Sequence, residues 1–243
     1  PMYFFLTLAV FIIYYIETGI WSNNKTIEAI LLLTMTKALF SKYIFAGIPQ
    51  GWTLTLEEMF YFTAPLFFLF IRKSYWYIII TPIIIFLLGY FLQDLTNFPT
   101  NKSGFLQTKY YTHIVEFFSG IGLGYIYLKN KSKIKIKNLT WLGFGFIILY
   151  LLSKHQLVQY INFDNDFIRF IELGTLCLFG IMPLIYGLIN EKTLISSILS
   201  NKWMVLLGKS SYIFYLIHKG FIPIFINDYI SDNKLVLFIL LNV

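Results

Sequence analysis

Residues 52 to 71 read WTLTLEEMFYFTAPLFFLFI, and beyond Met59 every residue except Thr63 is aromatic, aliphatic, small or proline. A run of this length crosses a hydrocarbon core of about 30 Å when it is helical. In lipid the backbone has no water to bond to, so a single apolar run must satisfy its own amides as a helix. Similar runs fall at 2–16, 76–92, 111–128, 139–152, 167–190 and 204–227, with 235–243 as half of another. They predict an all-α fold, a polytopic integral membrane helical bundle. The composition agrees: 58% of residues are hydrophobic and only 13% charged, against about 25% charged in soluble domains.

Trp21, Trp52, Trp76, Trp141 and Trp203 all fall near the ends of these runs, where indole rings favour the headgroup level. Basic residues set the orientation. Arg72 and Lys73, the alternating Lys129, Lys131, Lys133, Lys135 and Lys137, and later Lys192 and Lys202 are expected on the cytoplasmic side. Loops 93–110 and 153–166 are then expected outside. Membrane charge bias accounts for the lysines without nucleic acid, and no soluble domain is present to bind one.

Segment 26–50 does not fit simple counting. If 2–16 runs outward and 52–71 inward, both of its ends lie outside. Its charges, Glu28, Lys37 and Lys42, favour an interfacial or re-entrant element. The alternative is a full span with 2–16 reversed. Lone Cys177 sits in an apolar stretch and reads as a small buried residue.

Two carboxylates stand in the 52–71 run, Glu57 and Glu58. An ionisable group at membrane depth costs about 3 kcal/mol on insertion scales, so such residues default to function. Glu57 and Tyr61 share one helical face, and Glu58 points about 100° away. This spacing suggests one substrate-orienting or catalytic carboxylate and one that fixes neighbouring helices; hydration or pairing of both near the interface is the rival. His113 and Glu116 are three apart on one face, within reach of a hydrogen bond. They read as a proton-handling pair or a locally satisfied one. Gly120 and Gly124 make a seam that would admit another helix. Arg169 and Glu172 are expected to neutralise each other, with a substrate contact as the alternative. Ser211, Tyr215 and His218 line one stripe, but Ser211 and His218 are separated by about 10.5 Å of helical rise, which rules out a direct pair. His218 reads as a contact to substrate or to a carboxylate of another helix, or as a satisfied interfacial histidine. No zinc-ligand spacing, phosphate loop or nucleophile elbow is present.

Three stretches together carry a family likeness. W-T-L-T-L-E-E-M-F-Y-F at 52–62 resembles the W-S-L-x-x-E-E-x-F-Y segment of the membrane acyltransferase 3 family, the O-acetyltransferases of bacterial surface polysaccharides. H-I-V-E-F-F-S-G-I-G-L-G-Y at 113–125 and L-G-K-S-S-Y-I-F-Y-L-I-H at 207–218 resemble two later helices of that family, in the same order. The resemblance runs over nearly the whole chain. It implies a single transmembrane acyltransferase domain over 1–243 in the bacterial cytoplasmic (inner) membrane. That domain would take an acyl group, acetyl above all, from a cytoplasmic acyl-CoA donor. The acceptor implied is a hydroxyl of a cell-surface glycan or lipid-linked sugar. Catalytic roles fall on Glu57 and His218, with Glu58, Trp52, Tyr61, His113, Glu116 and Tyr215 in support. Arg72 and Lys73 become candidate contacts for the donor's phosphates; no metal is implied. The family's proposed catalytic histidine and its R-x-x-R stretch lie upstream of Pro1, and Pro1-Met2-Tyr3 looks like the tail of that stretch. The chain is therefore expected to lack N-terminal helices and the end of its last helix, and to be inactive on its own. A transporter or flippase for lipid-linked sugars is the alternative function, although no inverted repeat is evident.

Overall fold

The computed structural model describes residues 2–96, 109–129, 137–157 and 165–217. Among these the regular elements are all helical: α1 (Met2–Thr18), α2 (Asn23–Leu33), α3 (Trp52–Lys73), α4 (Tyr77–Thr96), α5 (Tyr110–Lys129), α6 (Leu139–Leu157), α7 (Asp166–Thr175), α8 (Met182–Asn190), α9 (Leu194–Leu199) and α10 (Lys202–Ile217). Two stretches, Pro49–Lys73 and Asp166–Asn190, are long and apolar enough to cross a membrane, each of 25 residues. Met2–Thr18, Tyr77–Gln93 and Leu139–Lys154 are shorter apolar helices. The expected spans thus correspond to helices as far as the described residues reach; 218–227 and 235–243 lie outside them, as do 97–108 and 130–136.

Segment 26–50 is broken. Ser22 caps α2 by accepting a hydrogen bond from the Lys25 amide at 3.3 Å, and α2 then runs for only 11 residues, about 16 Å of rise. Three 3₁₀ turns follow, Lys37–Leu39, Ser41–Tyr43 and Pro49–Gly51. Met35, ahead of the first turn, adopts φ 56°, and Gly47, ahead of the last, φ 63°. No single straight helix of spanning length exists here.

The chain divides into two compact units. Of the described residues, 2–62 and 205–217 belong to the first, and 63–96, 109–129, 137–157 and 165–204 to the second. The first unit is organised around Tyr3, Ile48, Leu54 and Leu216, with Leu6, Val10, Met35 and Tyr215 packed against them. In the second unit, Phe86 of α4 stacks on Phe170 of α7 at 4.1 Å between ring centroids, and Phe67 meets Phe118 at 4.9 Å. Tyr111 is fully buried and occupies the space that a side chain at Gly89 would need.

Gly120 and Gly124 do not mark a tight helix approach in this unit. A Cβ at either of those would meet open space, so the expected seam is unused among the described residues. Gly143 of α6 instead faces the backbone of Leu184, and Gly187 of α8 faces the backbone of Thr140. Any larger residue at these two would drive the helices apart. Between α7 and α8 the helix widens into a π turn, Leu176–Ile181. Outward faces are strongly apolar: Ile16 is 74% exposed and Phe62 86%. An apolar exterior of this extent marks a surface that meets lipid or another protein.

Candidate functional site

The W-T-L-T-L-E-E segment forms the first turns of α3, and the preceding chain is held in place by one lysine. Lys37 is fully buried. Its Nζ donates to the Ala46 carbonyl at 2.9 Å and to the Ile48 carbonyl, so the loop that leads into α3 wraps around the ammonium. Gly51, the residue before Trp52, must stay small for this to work. A Cβ there would lie 3.2 Å from Lys37 Cε, 3.3 Å from its Nζ and 3.2 Å from the ring of Tyr3. Burial pushes the Lys37 ammonium down to about 8, against the pull of the Glu28 carboxylate. Glu28 is itself buried and pairs with Lys25 at 2.9 Å. Sealed from solvent and turned toward carbonyls, Lys37 is a support and not a nucleophile.

The late stripe meets this same turn. Thr53 Oγ1 and Tyr215 OH are 2.8 Å apart, and both can donate to the Gln50 carbonyl, at 3.1 and 3.2 Å. Two hydroxyl hydrogens are shared among three contacts. The first and third sequence motifs are therefore joined side chain to side chain within the first unit. Glu57 lies one turn further along α3 with its carboxylate exposed, and Tyr212 of α10 is within electrostatic reach of it. Tyr61, a turn beyond Glu57, is 63% exposed. Glu58 is also exposed, and Trp52 is partly buried. His218 lies outside the described residues.

The other expected site residues belong to the second unit. His113 Nδ1 and Glu116 Oε2 are 2.8 Å apart, as their spacing on α5 predicts. Arg72 and Lys73 occupy the last turn of α3 with exposed side chains, where cations also complement the helix dipole. Arg169 and Glu172 do not form the expected pair. Glu172 accepts from Tyr150 OH and from Lys154 Nζ of α6, because a lysine from a facing helix can approach end-on. Arg169 Nε is left buried without a hydrogen-bond partner.

The model of a family described as an acyltransferase domain, acyltransferase 3, matches residues 1–242. The chain belongs to the acyltransferase 3 family. Acyltransferase 3 proteins are membrane proteins that transfer acyl groups, and this chain is thereby a membrane acyltransferase. No curated protein and no solved structure matches it.

For this acyltransferase, residue-by-residue reading of the sequence singles out Glu57 and Tyr215 but not what Tyr215 touches, and it passes over Gln50, Gly51, Thr53 and Lys37, which surround that contact. Lys37 was legible only as one of three charges in an otherwise apolar segment. Its distance in sequence from the carbonyls it holds, and the irregular turns between, give no periodicity to read.

Proposed function

We propose that this acyltransferase is a multi-pass protein of the bacterial inner membrane. It moves an acetyl group from cytoplasmic acetyl-CoA to a hydroxyl of a cell-surface glycan or lipid-linked sugar. The junction of Thr53, Gln50 and Tyr215 carries the reading. It places two of the three motif segments side by side and sets Glu57 one turn from their contact. Transfer to a hydroxyl needs a base for the proton and stabilisation for the oxyanion. A histidine serves as the base in this reading. Glu57 orients its ring and stabilises its protonated form, the role a carboxylate plays in nucleophilic triads. His218 and the histidine that the family resemblance implies are the two candidates for that base. Arg72 and Lys73 meet the phosphates of the donor, which suits the cytoplasmic side assigned to them.

The test is transfer of labelled acetyl from acetyl-CoA by the full-length protein in membranes. Glu57→Gln is expected to lower the rate about a hundredfold, the scale of losing a positioned acid–base partner, with membrane insertion unchanged. Glu58→Gln, on another face, should act more on stability than on rate. A properly inserted Glu57→Gln protein with near-normal transfer would remove Glu57 from the mechanism.

A further inference from the structure

The second unit carries a half-open cavity of about 510 Å³ between α4, α5, α7, the π turn and α8. This is within the size range of ligand pockets. Its walls include Ile78, Pro82, Phe118, Gly122, Gly174 and Phe179. Besides the tyrosines at one end, two hydroxyls line it, Ser119 and Thr175, yet each donates back into its own helix, to the Val115 and Ile171 carbonyls, both at 2.6 Å. The lining therefore offers hydrocarbon and little else. Along α5 the lining runs from Val115 to Ile126, about 16 Å of helical rise, which is close to half of a hydrocarbon core of about 30 Å. The void matches one leaflet.

Its two ends differ. At the end marked by Tyr75 and Tyr125, Lys129 closes α5 with its Nζ 5.6 Å from the centre of the Tyr75 ring and 5.4 Å from that of Tyr125. The Lys129 Nζ also donates to Tyr125 OH at 3.3 Å. Arg72 and Lys73 stand just before Tyr75 in the chain. The side chains of all three cations are exposed. A leaflet-length apolar slot with positive charge at its interfacial end is complementary to an amphiphile with a negative head.

We propose that this cavity holds one acyl chain of an anionic membrane phospholipid, with the lipid phosphate at Lys129. The assignment rests on the multi-pass reading above. Gly122 and Gly174 are small because the chain passes over them. A Cβ at Gly122 would be 3.4 Å from Ile78 and one at Gly174 3.5 Å from Val115, ordinary contacts, so these glycines are not demanded by helix packing.

Native mass spectrometry of the purified full-length protein, supplied with equal phosphatidylglycerol and phosphatidylcholine, tests this. Phosphatidylglycerol should be retained preferentially. Lys129→Gln should cut that preference about fivefold, the effect of one basic residue beside an anionic surface. Gly174→Leu should abolish retention while Gly120→Leu, in open space, leaves it intact. Lys129→Gln alters an exposed side chain, so the test survives if Gly174→Leu fails to fold. Equal retention of both lipids, or an undiminished preference in Lys129→Gln, would overturn the proposal. So would displacement of bound lipid by stoichiometric palmitoyl-CoA, which would assign the cavity to a donor chain instead. Impermeant labelling of engineered cysteines, run in parallel, reports on the multi-pass reading independently. Correct labelling with no lipid preference would sink the lipid site alone.

Discussion

Lys37 shows how one residue can set the entrance to a site without touching substrate. An ammonium with no exposed surface survives only because two carbonyls turn inward to it, and those carbonyls belong to the loop that delivers Trp52 and Thr53. Lys37→Met keeps the length and loses the donors, leaving the Ala46 and Ile48 carbonyls buried and unsatisfied, at about 1–3 kcal/mol for each. Thermal unfolding in detergent should register that loss. The pH dependence has a definite sign. The folded value of about 8 lies below the ordinary 10.5, so between them the unfolded chain binds more protons and stability rises with pH. Below about 8 the penalty for the buried charge is fully present. The melting temperature of the parent should therefore gain over this interval relative to Lys37→Met. Equal slopes for the two proteins would mean that Lys37 is not buried as a cation.

Helices in the second unit are secured by a device that no helical period reveals. Glu191, just after α8, caps the start of α6: its carboxylate accepts from the Leu139 amide at 2.8 Å, the Thr140 amide at 3.1 Å and Thr140 Oγ1 at 2.6 Å. Burial works against the charge, but these donors prevail and hold the carboxyl below its ordinary 4.5. The cap therefore contributes stability above about 4.5 that is lost as pH falls through the folded value. Glu191→Gln should cost about 1 kcal/mol, the usual worth of a helix cap, and flatten the acid limb of the stability profile. Alongside it, Gly143→Ala and Gly187→Ala should each destabilise by about 1–3 kcal/mol through overpacking, whereas Gly120→Ala should be neutral. The sequence makes Gly120 and Gly124 look like the packing seam because their spacing is four. The tight approach sets Gly143 against Leu184 and Gly187 against Thr140, on helices far apart in the chain, and these partners are largely backbone atoms that sequence spacing does not encode. Arg169 and Glu172 mislead in the same way: spacing predicts a local pair, and Lys154 supplies a better partner from across the interface.

At the scale of the whole molecule, helices were legible because the lipid requirement acts on each run separately: apolar length alone specifies a helix. The contacts of Tyr215 were not, since they depend on how distant runs pack. Orientation lies between these cases. It follows from where the lysines and arginines fall, a bias applied during insertion and not from a contact in the folded state. The described helices give two suitable reporters. Gln156 near the end of α6 and Asn201 between α9 and α10 are both exposed, and the stretch from Asp166 to Asn190, long enough to cross once, separates them. With Cys177→Ala as background, Gln156→Cys should react with an impermeant maleimide in intact cells. Asn201→Cys, flanked by Lys202 on the side expected inside, should react only after permeabilisation. Labelling of both in intact cells would mean that Asp166–Asn190 does not cross the membrane. The reverse pattern would turn the whole bundle over, placing Arg72, Lys73 and Lys129 outside. In that case a cytoplasmic donor could not meet these cations, and the entry side of acyl-CoA would have to be sought at the opposite ends of the helices, where His113 and Glu116 begin α5.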